Sequence, residues 1–305
     1  MRFVQRLCIY ALLMLGSITF LVPLLWMIST GLKPIDQSMS MPPTWIPYRL
    51  YVERDGVLTE IKQAEAKNYP AEKIIKKPAP RWENFKKAIL AMKMFPTYLK
   101  NTLILCVLTV IGTVSSSALA AYGFSRIEWR GRNQLFMLAL ATMMVPFPVT
   151  MVPMYCLFRW LGWIGTLKPL WVGSFFAGAF NVFLLRQFFM TLPKDLSEAA
   201  RIDGCSEFRI FWQIILPLCK PALMVVGLFQ FMYTWNDFMG PLIYLTNQKD
   251  FTLALGLQFF QSQHGGTEWH YLMAASTLVA VPIIVLFFFT QRTFIEGISM
   301  TGIKG

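Results

Sequence analysis

Six stretches of the chain run for roughly 18 residues or more with almost no charge, and that is the feature a fold must accommodate first. They lie at about Leu7–Ile28, Leu99–Phe124, Leu135–Phe158, Pro169–Phe189, Leu218–Trp235 and Tyr271–Thr290. A helix on the surface of a soluble domain shows a polar face every turn, and these stretches do not. Each is long enough to cross a bilayer, whose hydrocarbon core is about 30 Å thick. The expected fold class is therefore an all-α integral membrane protein of about six transmembrane helices. Composition agrees: 14% of the residues are Asp, Glu, Lys or Arg, against about 25% in soluble domains.

The formal charge of +12 would suggest a nucleic-acid partner if it formed one basic face. The Lys and Arg fall between the apolar stretches instead, as membrane-flanking anchors do. No nucleic-acid partner is expected. Cys8, Cys106, Cys156, Cys205 and Cys219 show neither paired nor metal-ligand spacing, so five free thiols and no metal site are expected. The first stretch begins with Arg2 and Arg6 like a signal peptide. Its apolar run is too long for one and no small-residue cleavage site follows, so it reads as a retained first helix.

Arg2 and Arg6 share one side of the membrane with Arg126, Arg130 and Arg132, with the loop holding Arg186, Lys194, Arg201, Arg209 and Lys220, and with Arg292 and Lys304. The opposite side has Arg159 and Lys168 in one short loop and Lys249 in another. Positive charge retained inside places both termini and the 190–217 loop in the cytoplasm. Residues 30–98 hold twelve Lys and Arg yet fall outside, which a loop beyond about 60 residues tolerates. Within it Phe85, Ala88, Ile89 and Met92 recur at helical spacing. Two readings stay open: an amphipathic helix on the outer membrane surface, or one packed on a partner subunit.

The 193–217 segment is the most informative. Ser197 is placed to N-cap a helix, and Glu198 stands where a carboxylate complements the helix dipole. Ala199 and Ala200 allow a partner surface close to the backbone. Gly204 suits a left-handed position that ends the helix after about two turns. Ser206 can cap a second helix, which Pro217 interrupts. The residues alone leave a choice between a protruding docking helix and an ordinary interfacial one.

Glu198-Ala199-Ala200, then Gly204, then Ile214-Ile215-Leu216-Pro217 resembles the loop that marks the membrane subunits of binding-protein-dependent ABC importers, with every spacing intact. Asn101-Thr102-Leu103, Ala120-Ala121-Tyr122, Phe124-Ser125-Arg126, Met144-Val145-Pro146, Pro153-Met154-Tyr155, Leu161-Gly162, Trp235-Asn236-Asp237-Phe238, Pro241-Leu242 and the tail Gly302-Ile303-Lys304-Gly305 narrow the resemblance to carbohydrate importers, on the side of the smaller maltose permease. It covers nearly the whole chain except 48–80, which looks like an insertion in the first outer loop. The resemblance implies a type I importer permease fold in one domain, 1–305, in a bacterial inner membrane. It implies a second homologous permease, two cytoplasmic ATP-binding subunits and an extracytoplasmic solute-binding protein as partners. A sugar or oligosaccharide, neutral or acidic, is the implied substrate. Glu198, Ala199, Ala200, Asp203 and Gly204 would be the ATPase-coupling residues, and the 293–305 tail would also reach the ATPases. The chain lacks the phosphate-binding G-x-x-x-x-G-K-[ST] loop. No catalytic residue and no cofactor are expected in it.

Polar residues near the spans admit two readings. Asn181 and Gln230 line a solute path or hydrogen-bond between helices, and Arg186 snorkels to the cytoplasmic face. Asn236 and Asp237 form a mouth or a helix C-cap, and Tyr233 joins the possible path. Trp160, Trp163, Trp171 and Trp269 read as an interface belt. A secondary transporter is the alternative function, but it would usually carry acidic residues in mid-span. An intramembrane metalloprotease would need a ligand pattern that His264 and His270 do not supply. The orientation has a direct test. In a Cys-free background, Asp55→Cys should react with an impermeant maleimide in cells with a permeabilised outer membrane, whereas Lys304→Cys should not; the reverse pattern overturns the topology.

Overall fold

A computed structural model describes residues 2–54, 57–61, 65–70, 73–262 and 267–299. Asp55, His264 and the 302–305 tail named above lie outside these. Four helices are long and apolar enough to cross a bilayer: Val4–Gly31, Phe95–Ser125, Lys168–Thr191 and Trp269–Gln291. Two bent pairs bring the number to six if each pair is one span: Arg132–Met144 with Phe147–Trp160, bent by 98°, and Glu207–Leu218 with Lys220–Asn236, bent by 80°.

The chain divides into two compact units, Met1–Phe95 with Leu257–Pro282, and Pro96–Gly256 with Ile283–Gly305. The first begins with α1 (Arg2–Gly31) and the short α2 (Ile35–Ser38). A three-stranded antiparallel sheet follows in the order β2-β1-β3, from β1 (Tyr48–Arg54), β2 (Val57–Ile61) and β3 (Ile74–Pro78). Leu50 pairs with Ile61 and Lys76 across it. Leu50, Val52 and Ile61 are buried on one face, while Arg49, bonded to Glu60 at 3.2 Å, marks the other. The described residues of 48–80, expected only as an insertion, thus form a small sheet, the one sheet among the described residues.

Helix α3 (Glu83–Ala91) carries the apolar stripe. Ala88 and Met92 are buried within the chain itself, and Asn84 Nδ2 donates to the carbonyls of Gly31 (2.9 Å) and Lys33 (2.8 Å). The helix therefore packs at the end of α1 through Ala88 and Met92, while Phe85 and Ile89 of the same stripe remain part-exposed. Lys33, fully buried, lies 4.1 Å from the centre of the Trp26 ring.

The second unit starts with α4 (Phe95–Ser125). The third predicted span, drawn as one helix from Leu135 to Phe158, is instead α5 (Arg132–Ala141), a 3₁₀ turn, and α6 (Phe147–Trp160). Pro146 drives its predecessor Val145 out of the helical region (ψ 113°), which places the bend there. The fourth span is also interrupted: α7 (Lys168–Trp171) and a 3₁₀ turn precede α8 (Ala179–Thr191), with Ala177 left-handed at φ 42° between them. Ser116 on α4 serves this break, donating to the Ser174 carbonyl and accepting the Ala177 amide, both at 3.1 Å. Next come α9 (Asp195–Ile202), α10 (Glu207–Ile210), a π-helical turn at Phe211–Ile215, α11 (Leu216–Leu218) and α12 (Lys220–Asn236). The region expected as a simple outer loop, 236–268, contains α13 (Met239–Tyr244) and α14 (Leu253–Ser262), and α15 (Trp269–Ser299) ends the described chain.

In the first unit α1 and α15 come close at Gly31, where an added Cβ would stand 3.0 Å from both the Cα and the N of Ala274 on α15. Backbone atoms cannot swing aside as a side chain can. Gly31→Leu should therefore cost about 1–3 kcal/mol, read as a lower thermal-unfolding midpoint of the purified protein. Gly16→Leu on the same helix, where nothing lies within 4 Å of the added Cβ, should leave the midpoint unchanged.

Candidate functional site

The 193–217 segment is mounted on the ends of α4 and α8. Asp195 opens α9 and Lys194 precedes it, so Ser197 lies inside the first turn and does not cap the helix. Its hydroxyl is buried without a hydrogen-bond partner. Glu198 does stand in the first turn, where it faces the positive end of the helix dipole. Gly204 adopts φ +79°. Its amide donates to Arg201 O at 3.0 Å and that of Cys205 to Ala200 O at 2.9 Å, the bond pair of a Schellman C-terminus. Ser206 caps α10, its hydroxyl accepting the Arg209 amide at 3.4 Å.

The two alanines face opposite ways. Ala200 is buried in a core formed with Ala121, Tyr122, Leu185, Phe189, Ile210 and Phe211, whereas Ala199 is exposed. Only Ala199 is therefore placed to let another surface approach the backbone; Ala200 lets α9 lie close to its own chain. Asp203 and Gly204 are exposed beside Ile202, which is 87% exposed.

What holds α9 in place is polar. The Glu207 carboxylate accepts Arg201 Nε on one oxygen and the Tyr122 hydroxyl on the other, each at 2.6 Å. One carboxylate thereby ties α9 and α10 to the end of α4. The Glu207 contact raises the Arg201 pKa above the ordinary guanidinium value. Arg126 reaches the end of α8, donating to the carbonyls of Phe189 (2.7 Å), Leu192 (2.8 Å) and Pro193 (3.3 Å). A cation on the last carbonyls of a helix satisfies them and opposes the dipole. Burial holds the Arg126 pKa below the usual range. Arg186 donates to Phe124 O at 3.0 Å, next to the last residue of α4, and lies over the Phe136 ring at 4.2 Å. Between these braces lies a polar cleft of about 390 Å³, bordered by Arg126, Glu128, Lys194, Ser197 and Arg201. Tyr122 was visible in the sequence only as part of a family motif, and Arg126 as part of another and as a membrane-flanking charge. Glu207 was not singled out, although an acid directly after the Ser206 cap was its available signal.

The possible path residues do not form one cluster of free polar groups. Gln230 donates to Thr234 at 3.1 Å, and Thr234 shares a 2.8 Å hydroxyl contact with Thr109 of α4, so Gln230 belongs to an interhelical network. Asn236 bonds back to Met232 O at 2.8 Å. Asp237 stands at the C-cap of α12, and its carboxylate accepts the Gly240 amide in the first turn of α13 at 3.0 Å. Burial raises the Asp237 pKa, against the backbone amides of Gly240 and Met239. Tyr233 is exposed. Asn181, half-buried at the start of α8, makes no hydrogen bond to another described residue. Its neighbour Phe180 contacts Phe229 of α12 at 6.5 Å between ring centres.

The family profile of the binding-protein-dependent transport system inner membrane component matches residues 112–299, which include the whole mount and α9. The chain belongs to that family. A probable ABC transporter permease protein of Bacillus subtilis is 31% identical over 302 residues, 97% of this chain and 88% of its own. An arabinooligosaccharides transport system permease protein of Halalkalibacterium halodurans is 34% identical over 223 residues, covering 73% and 79%. A trehalose/maltose transport system permease protein of Thermococcus litoralis is 35% identical over 212 residues, covering 69% and 76%. Among solved structures, a chain of a bacterial ABC transporter involved in import of the acidic polysaccharide alginate superposes with a TM-score of 0.73 at 19% identity, over 95% of this chain and 96% of that one. The type I importer permease fold expected from the sequence is therefore the fold of this chain, a membrane transport component.

The mount makes its own prediction. Glu207→Ala leaves both Arg201 and Tyr122 without their acceptor, a loss of about 1–3 kcal/mol for hydrogen bonds involving a charged group. Amide hydrogen exchange over 195–205 should accelerate about ten-fold or more on that basis, while exchange in the first half of α4 stays as in the wild type.

Proposed function

We propose that this chain is one half of the translocation path in an ATP-driven importer of a sugar or oligosaccharide, and that α9 couples it to an ATPase. The observation that carries the reading is the mount: a two-turn helix with an exposed Ala199–Asp203 surface, tied by Glu207 and Arg126 to the ends of two spans. A helix fixed in this way moves with the spans as a body. ATPase closure that displaces α9 would tilt α4 and α8, and alternating access follows from the two permease halves rocking against each other.

The partners are a second homologous permease, two ATP-binding subunits and an extracytoplasmic solute-binding protein. Relatives named for arabinooligosaccharide, trehalose/maltose and maltodextrin transport support a carbohydrate substrate. Charge asymmetry supports cytoplasmic termini and a cytoplasmic 190–217 segment. On that orientation the 30–98 segment with its sheet and the 236–268 region face the binding protein, and 293–305 joins α9 on the ATPase side. Within the path Asn181 and the exposed Tyr233 are the side chains placed to meet a hydroxyl-rich solute. Glu198, Ala199, Asp203 and Gly204 are the coupling residues presented to the ATPase, with Ala200 supporting them from within.

The test separates docking from folding. Gly204→Val places a β-branched residue at positive φ, costing roughly 1–2 kcal/mol or more, although an added Cβ would touch nothing. Ala199→Trp enlarges the exposed face without disturbing the core. Both variants should insert normally and lose ATPase co-purification or substrate-stimulated ATP turnover in nanodiscs. Wild-type association and turnover in both would remove the support for coupling through α9, and failure of the wild-type complex to import any labelled oligosaccharide would remove the carbohydrate assignment.

A further inference from the structure

Among the candidate spans in the described residues, α4 alone has neither a break nor a proline beyond its first turn. Helices α1 and α15 contain Pro23 and Pro282, and the other three spans are interrupted. Both ends of α4 carry specific side-chain bonds. Near its start Asn101 Nδ2 donates to Lys249 O (2.9 Å) and Phe251 O (3.1 Å), and the Thr102 hydroxyl accepts the Leu253 amide at 2.9 Å. The joint is dry: Asn101, Thr102, Phe251, Thr252 and Leu253 are all buried. One turn earlier Tyr98 packs on Phe251, their rings 6.3 Å apart, and on Gly256, where an added Cβ would stand 2.4 Å from the Tyr98 ring. At the other end Tyr122 holds Glu207, which holds Arg201 of α9.

Twenty-one residues separate Asn101 from Tyr122, about 32 Å at 1.5 Å per residue, close to the hydrocarbon thickness of about 30 Å. An unbroken helix transmits a displacement along its length because its backbone hydrogen bonds resist stretching, and α4 runs as one helix through Gly112 and Ser115–Ser117. We propose that Asn101 and Thr102 are positioning residues that clamp the 249–253 segment to the head of α4, and that through α4 they report binding-protein docking at the 236–268 region to α9 and the ATPase. The proposal rests on the coupling reading above and adds a route across the membrane to it. The chemistry of the clamp is specific. Two carbonyls need a two-proton donor, which Asn is and Asp is not. The Leu253 amide needs an acceptor with no room for water, which Thr is and Val is not.

The experiment uses the whole complex in nanodiscs with its binding protein and a transported sugar. Thr102→Val and Asn101→Asp should retain ATPase co-purification and unstimulated ATP turnover. Both should lower the maximal turnover stimulated by loaded binding protein about five-fold or more, the range of a real coupling energy. The binding-protein concentration giving half-stimulation should move less than that maximum. Thr102→Ser, which keeps the hydroxyl, should restore stimulation; a role limited to packing predicts no such rescue. Combining Thr102→Val with Tyr122→Phe should be no worse than the more damaging single change, because both cut one route. Undiminished stimulation in Thr102→Val and Asn101→Asp, or multiplying effects in the double variant, overturns the proposal. If one clamp variant fails to assemble, the other together with Thr102→Ser decides. A wild-type complex without stimulation by binding protein would instead count against the coupling reading itself.

Discussion

In hydrocarbon an unpaired backbone amide or carbonyl costs several kcal/mol, because no water is present to take its place. That constraint explains why this chain can afford irregular spans at all. The break before α8 leaves the Ser174 carbonyl and the Ala177 amide outside the helix ladder, and one hydroxyl, Ser116, takes both. At the bend between α5 and α6, Pro146 and Pro148 have no amide proton to leave unpaired. The head of α4 supplies Asn101 and Thr102 for the irregular 249–253 backbone. These three departures from regular helix are each matched to residues that satisfy them or leave no donor unpaired.

The mount of α9 obeys the same constraint with charge added. Arg126 and Arg186 sit where spans end, and their guanidinium groups are spent on carbonyls of the neighbouring span. A surface ion pair there would contribute little, because water screens it and both side chains lose freedom. Bonds to backbone carbonyls differ in consequence: they fix the axial position of one helix relative to another. Glu207 does the same for α4 and α9 through two oxygens pointing at different elements. Stiffness at this point comes from geometry, with helix ends cross-tied in several directions.

Much of this was legible in the sequence, and the limits have physical causes. Uncharged length placed the spans to within a few residues, because lipid imposes it regardless of partners. Gly204 and Ser206 were legible because a left-handed C-terminus and a side-chain cap are local. Ser197 was not, since the two residues before it already begin the helix, and any of several residues near a helix start can cap. The stripe of α3 gave the right periodicity without saying what covers it: periodicity reports a buried face and not what buries it. Gln230, Asn236 and Asp237 were ambiguous for the same reason, and only the structure gives their partners, Thr234, the Met232 carbonyl and the Gly240 amide. The breaks before α6 and α8 were hidden because their residues stay apolar, so hydropathy runs through them without a dip.

The order of elements along the chain adds a consequence for biogenesis. A membrane protein enters the bilayer from its N-terminus as it is synthesised, so each segment meets only what precedes it. The break at Ser174–Ala177 enters after α4, and Ser116 is therefore already in the membrane when those backbone groups need a partner. The 249–253 segment likewise emerges after Asn101 and Thr102. The unbroken span comes early and the irregular ones come later, each finding its hydrogen-bonding complement waiting. A circular permutation that placed α4 last would preserve every contact in the finished molecule and still expose the irregular backbone to lipid during synthesis.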